Sequence, residues 1–129
     1  MPKLTLPRPT DGELAILRVL WARGPSTVRQ VHDVLSRDRP GAYTTTLKLL
    51  QIMTEKGLVR RDESLRSHVY SAAVSEGSTQ RRMVADLVKR AFGGSTLQLL
   101  LHALSATPAT PWEVNQIRKL LNQKNGARA

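Results

Sequence analysis

The chain contains no cysteine. That absence excludes a disulfide scaffold, a thiol nucleophile, an iron–sulfur cluster and any Cys-ligated zinc or copper site. Aromatic residues are scarce, two Trp, two Tyr and one Phe, or 4% of 129 residues. So few rings argue against RNA or single-strand binding by base stacking. His32, His68 and His102 lie far apart with no His-Glu-x-x-His pairing, so zinc ligation is not expected. No serine stands in Gly-x-Ser-x-Gly, and Gly93-Gly94-Ser95 is not a phosphate loop, because no Gly-Lys-Ser/Thr follows. No catalytic constellation emerges, so an enzyme is not expected, nor is a cofactor. No apolar run approaches the ~18 residues a membrane span needs. Residues 1–10 hold Pro2, Pro7 and Pro9 and no apolar signal core. The expectation is a cytoplasmic protein without membrane insertion.

What the chain has in excess is positive charge. Twenty Lys and Arg face ten Asp and Glu, a formal net charge of +10, and the isoelectric point is near 11.1. Such an excess predicts an anionic partner, most often nucleic acid. Ribosomal and membrane-surface proteins share this composition. The charge is spread: residues 1–74 carry 12 basic and 7 acidic residues, and residues 75–129 carry 8 and 3. This is not a neutral domain with a basic tail. With 40% hydrophobic residues and a mean hydropathy of −0.30, the length suits one globular domain or two very small ones.

Residues 1–9 read as a flexible arm, in which Lys3 and Arg8 can touch phosphate. Thr10-Asp11-Gly12-Glu13 is a capping box. Leu14, Leu17, Leu20 and Trp21 follow at helical spacing with Ile16 beside them, and Gly24-Pro25 stops the helix. Ser26 is expected to cap a second helix with Val28, Val31 and Leu35 on one face. Asp38-Arg39-Pro40-Gly41 reads as a turn. A third helix is predicted from Tyr43 to Lys56, with Leu47, Leu50 and Met53 inward and Gly57 as its left-handed terminator. Leu58–Arg61 and Ser67–Ser71 read as two strands of a β-hairpin linked by residues 62–66. Three short helices and then a hairpin is the order of a winged helix-turn-helix.

The rest is helical. Ser78–Phe92 carries Met83, Val84, Leu87, Val88 and Ala91 in one stripe. Ser95 can cap the next helix, lined by Leu97, Leu100, Leu101 and Leu104. Thr110-Pro111-Trp112-Glu113 is a second capping box with Pro at the first helical position. Val114, Ile117, Leu120 and Leu121 continue the pattern, and residues 122–129 are expected to fray. The fold class is thus mainly α with a small β-hairpin. A winged-helix DNA-binding domain over 10–74 precedes a C-terminal helical dimerisation domain over 75–129. The dimerisation reading is physical: 55 residues are marginal for an independent core, and two copies joined about a two-fold axis bury the apolar faces. Val84, Leu87, Leu97, Leu100, Leu101, Leu104, Trp112, Ile117, Leu120 and Leu121 are the candidate interface. The alternative is that these helices pack back on the N-terminal unit.

A helix entering the major groove needs short polar side chains near its start and a longer donor one turn on. Tyr43, Thr44, Thr45 and Lys48 fit that description on the outer face of the third helix, while Thr46 is expected to pack inward. The competing reading makes Thr44 and Thr45 caps and Lys48 a solvated charge. Arg60, Arg61 and Arg66 lie in or beside the hairpin and suit phosphate or a narrow minor groove. Asp62 and Glu63 partly oppose them, and Arg66 is favoured over Arg61. Thr27 and Arg29, in the first turn of the second helix, can bind phosphate.

These motifs in this order resemble the penicillinase-repressor (BlaI/MecI) family. Asp11-Gly12-Glu13-Leu14 through Leu20-Trp21 is similar to its first helix and Thr27–Val31 to its second. Ala42-Tyr43-Thr44-Thr45-Thr46-Leu47, Lys56–Arg61 and His68-Val69-Tyr70 look like its recognition helix and wing. The resemblance covers roughly residues 8–122. It implies a dimeric repressor on palindromic double-stranded operators, controlling β-lactamase-like or other stress-responsive genes and hence antibiotic resistance. It also implies a membrane-bound sensor protease as partner, with repression relieved by cleavage in the dimerisation domain. The stretch corresponding to the cleavage region is Leu101-His102-Ala103-Leu104, which lacks the Asn–Phe bond cut in that family. A copper-responsive branch uses a cysteine cluster that this chain lacks. Two other classes compete: a non-specific basic architectural or ribosome-associated nucleic-acid-binding protein, and a winged helix that docks a protein.

Overall fold

The computed structural model describes residues 8–38 and 40–128, with side chains through residue 124. Most of the arm expected over residues 1–9, Lys3 included, lies outside the described residues, as does Arg39 of the expected turn. Helix α1, Asp11–Arg23, begins at the predicted box. The Thr10 hydroxyl accepts the Glu13 N–H at 3.2 Å, and the Thr10 N–H donates to Glu13 Oε1 at 2.9 Å. Two otherwise unpaired backbone donors are satisfied reciprocally. The helix buries Ile16, Leu17, Val19 and Leu20. Leu14 and Trp21, expected on that face, are half-buried at its edge. The Trp21 indole N–H donates to the Val74 carbonyl oxygen at 2.9 Å, which suits an amphipathic ring at the rim of a core.

Strand β1, Ser26–Thr27, follows. Two residues are too few to show alternation, so the sequence carried no strand signal there. Ser26 is buried, with its hydroxyl on the Gly24 carbonyl oxygen at 2.9 Å, and is therefore not the cap of the next helix. Thr27 takes that role. Its hydroxyl accepts the Gln30 N–H at 3.2 Å, and its N–H donates to Gln30 Oε1 at 2.9 Å. Helix α2, Val28–Asp38, buries Val28 and Val31.

Helix α3, Tyr43–Lys56, has the predicted bounds and buries Thr46, Leu50 and Met53. Gly57 follows with φ +83°, where a Cβ meets steric conflict. Its N–H donates to the Thr54 carbonyl oxygen at 3.2 Å, and the Leu58 N–H to that of Met53 at 2.9 Å. Strands β2, Val59–Asp62, and β3, Val69–Ala72, pair antiparallel in the register Val59 to Ala72 and Asp62 to Val69. The predicted second strand began two residues early, so His68 lies in the loop and not in a strand. β1 adds to the other edge of β3, giving the order β1-β3-β2. The hairpin is thus part of a three-stranded sheet, whose central Tyr70 is 1% exposed among Ile16, Leu17, Leu50, Met53 and Leu58. Helices and sheet together form a winged helix-turn-helix.

Helix α4, Glu76–Ala91, starts earlier than predicted, because Ser75 Oγ accepts the Ser78 N–H at 3.2 Å. Helix α5, Thr96–Ala106, is capped by Ser95, whose hydroxyl accepts the Gln98 N–H at 3.1 Å. Helix α6, Pro111–Arg128, opens on the predicted Thr110–Glu113 box, at 3.1 and 2.9 Å. It continues through Arg128, past the end of its apolar pattern, where fraying was expected. The chain divides into two compact units, one ending at Met83 and the other beginning at Val84. No described helix is long and apolar enough to cross a membrane.

Candidate nucleic-acid interface

The start of α3 presents a polar face. Tyr43, Thr44, Thr45 and Lys48 are exposed, while Thr46 is 6% exposed and packs inward as predicted. The residue capping α3 is Ala42, which forms no side-chain cap bond. Thr44 and Thr45 therefore do not cap the helix, and the competing reading of those hydroxyls falls. Lys48 makes no ion pair among the described residues. Among the described residues the result is a helix start with two free hydroxyls and an unneutralised ammonium one turn later, a donor set of the kind that suits base edges in a major groove.

The start of α2 lies against it. The Thr27 oxygen is occupied as a cap acceptor, but its hydroxyl hydrogen can still donate to phosphate. The Arg29 guanidinium carbon stands 4.8 Å from the centroid of the Tyr43 ring. The ring of His32 meets Tyr43 edge to face, with centroids 5.7 Å apart at 74°. His32 Nδ1 is 3.4 Å from the hydroxyl oxygen of Thr46. The spacing of the histidines in the sequence gives His32 no role; only the packing of α2 on α3 brings it to this site.

The wing separates its arginines. Arg61 is tied to Glu63 at 2.7 Å. The Arg61 guanidinium donates to the Tyr70 hydroxyl oxygen and to the Glu63 carboxylate, and both bonds favour its charged form and push its pKa up. Asp62 Oδ1 accepts the Ser64 N–H at 2.9 Å, and the Ser64 side chain and backbone hold the Asp62 carboxyl below its usual range. Both acidic groups of the wing thus have local partners. Arg60 and Arg66 are exposed and make no ion pair among the described residues. The charge of Arg61 is thus already engaged, and among the described residues those of Arg60 and Arg66 are not.

The unit beginning at Val84 has a different surface. Val84, Leu87, Leu97, Leu100, Leu101, Leu104, Trp112, Leu120 and Leu121 are all exposed, Trp112 to 69%, and Ile117 is half-buried. α5 buries no residue at all. A groove of about 520 Å³ between the end of α5 and the start of α6 is lined by Leu104, Pro108, Trp112, Ile117 and Leu120. His102 stacks on Phe92 with centroids 5.6 Å apart. No metal-ligating cluster occurs among the described residues.

Comparisons with known proteins bear on the family and the fold of this chain. The family model described as penicillinase repressor matches residues 9–123. The transcriptional regulator BlaI of Mycobacterium tuberculosis is 35% identical over 123 residues, 94% of this chain and 86% of that protein. The solution structure of the DNA-binding domain of the repressor BlaI aligns with a TM-score of 0.51 at 24% identity, over 56% of this chain and 88% of that one. The Bacillus licheniformis BlaI monomeric form in complex with the blaP half-operator aligns with a TM-score of 0.50 at 23% identity, over 57% and 89%. At these identities the structural likeness bears on the fold alone. The family match over nearly the whole chain carries the assignment: this protein belongs to the penicillinase repressor family, a family of transcriptional repressors and not of enzymes.

Proposed function

We propose that this chain is a sequence-specific, DNA-binding transcriptional repressor that acts as a homodimer on a palindromic operator. The observation that carries the reading is the exposed face Tyr43, Thr44, Thr45 and Lys48 at an α3 start that no threonine caps. Arg60 and Arg66 supply phosphate or minor-groove contacts from the wing, and Thr27 and Arg29 add to them from α2. The Bacillus licheniformis BlaI structure has a monomeric form on a half-operator. Carried to this chain, each winged helix takes one half-site.

A single winged helix on one half-site binds modestly and in a salt-dependent way. Joining two raises the effective concentration of the second, so the apolar face from Val84 to Leu121 controls occupancy. Bound over a promoter, the dimer blocks transcription of β-lactamase-like or other stress-responsive genes, in the cytoplasm, and loss of the dimer relieves it. The segment Leu101–Leu104 sits inside α5, so a sensor protease would need that helix to open first. Any other process that separates the protomers has the same effect.

The test is a footprinting titration on the promoter fragment upstream of the protein's own gene, with and without excess random DNA. A protected palindrome that survives competitor is the expected result. Diffuse protection that vanishes with competitor would instead favour an architectural, non-specific role.

A further inference from the structure

In the winged-helix unit His32, to which the reading above gives no role, packs against the Tyr43 ring beside Arg29. Arg29 and His32 are one turn apart on α2, and Tyr43 and Thr46 are one turn apart on α3, so each pair shares a helix face. The two pairs interlock. Arg29 lies over the Tyr43 ring at 4.8 Å. His32 packs on the same ring at 5.7 Å between centroids, and its Nδ1 is 3.4 Å from the hydroxyl oxygen of buried Thr46. Tyr43 is the first residue of α3 and 36% exposed. A ring at an uncapped helix start has few neighbours and would otherwise sample several rotamers.

We propose that Tyr43 is a specificity-determining contact to the operator, held in place by His32 and Arg29 as positioning residues. This rests on the DNA-binding reading of α3. The cation–π contact fixes one face of the ring and the near-perpendicular imidazole restricts it in another direction. His32 is itself fixed because Thr46 belongs to the core. The phenol hydroxyl therefore meets DNA without first losing rotamer freedom, and that saving applies only where the operator presents a partner at the matching position. Random DNA receives no such benefit. Ordering one rotamer-rich side chain on binding corresponds to about two- to tenfold in affinity.

The experiment is a titration of the footprinted promoter duplex and a scrambled duplex of equal length and composition. The proteins are wild type, His32→Ala, Tyr43→Ala and the double variant, with His32→Phe as a variant that keeps a ring edge. His32→Ala is expected to weaken promoter binding about two- to tenfold, leave scrambled-duplex binding unchanged, and add nothing once Tyr43 is Ala. His32→Phe is expected to recover most of the loss. Arg29→Lys, which keeps the charge but loses the planar stack, is expected to behave like His32→Ala on the promoter duplex and to keep the salt slope. Additive losses for His32→Ala and Tyr43→Ala overturn the proposal, as do equal losses on both duplexes or no loss at all. Thr45→Ala and Lys48→Ala separate the two levels. If they weaken promoter binding while His32→Ala does not, only the positioning role fails; if neither they nor the cluster variants matter, the α3 reading fails.

Discussion

Glu13 closes the capping box of α1 and also receives Lys56 from the end of α3, with Nζ at 3.0 and 2.8 Å from its two oxygens. At 2% exposure its charge would be costly without those bonds. Burial pushes the carboxyl upward, but hydrogen bonds from Lys56 and the Thr10 N–H outweigh it, and Glu13 sits below its ordinary 4.5. A carboxyl lowered on folding stabilises the protein above its unfolded value, and that contribution fades as pH falls through the folded value. The stability difference between wild type and Glu13→Gln should therefore be full near neutral pH and shrink as pH drops below 4.5. Urea unfolding across that range measures it, and a constant difference would contradict the role given to the charge. Lys56→Met leaves the carboxylate buried without its cation, and should cost about 1–3 kcal/mol near neutral pH. At Gly57 the φ of +83° predicts a loss of about 1–2 kcal/mol for Gly57→Ala, with promoter binding intact.

At the scale of elements, the helices were legible because caps and periodicity agreed. Thr10–Glu13, Ser95 and Thr110–Glu113 each close the bonds their spacing predicts. Gly57 ends α3 at the expected residue. The sequence failed where an element takes its identity from a distant partner. β1 is two residues long and exists only because β3 pairs with it, so Ser26 read as a cap when Thr27 supplies one. The candidate site shows the same division. Thr44, Thr45 and Lys48 follow from helical periodicity, but His32 enters only through the contact between α2 and α3. The α3 and wing assignments make distinct predictions. Thr45→Ala should relax discrimination at one base step, and Lys48→Ala should weaken promoter binding by about 1–3 kcal/mol if its ammonium reads guanine. On the wing, Arg66→Ala should lower the salt slope of binding by about 1 and weaken all sequences alike, as a phosphate contact does. Arg61→Ala should change the slope less, because its charge is already engaged by Glu63 at 2.7 Å. Equal slopes for the two variants would erase the distinction drawn between them.

At the scale of the whole molecule, the two units differ in how they satisfy their apolar side chains. The first encloses a core around Tyr70, Leu50 and Met53, while α5 in the second buries nothing. Exposed leucines at helical spacing are destabilising in water unless another surface covers them, and a second copy offers a self-complementary one. Leu101 is 51% exposed, so a carboxylate there costs the isolated protomer little. In a dimer interface the same charge has no water and no partner, and its burial is strongly unfavourable. Leu101→Asp should therefore leave the thermal unfolding of the winged-helix unit in place while shifting sedimentation to the monomer. Full-operator affinity should fall by about 10²–10⁴, the advantage lost when the second half-site is no longer tethered. Affinity for a single half-site duplex should not change, since the α3 face and wing are untouched. A variant that sediments as a dimer would remove Leu101 from the interface. A clean monomer that still binds the full operator as tightly as wild type would show that occupancy does not depend on tethering, and loss of the dimer could then not be what relieves repression.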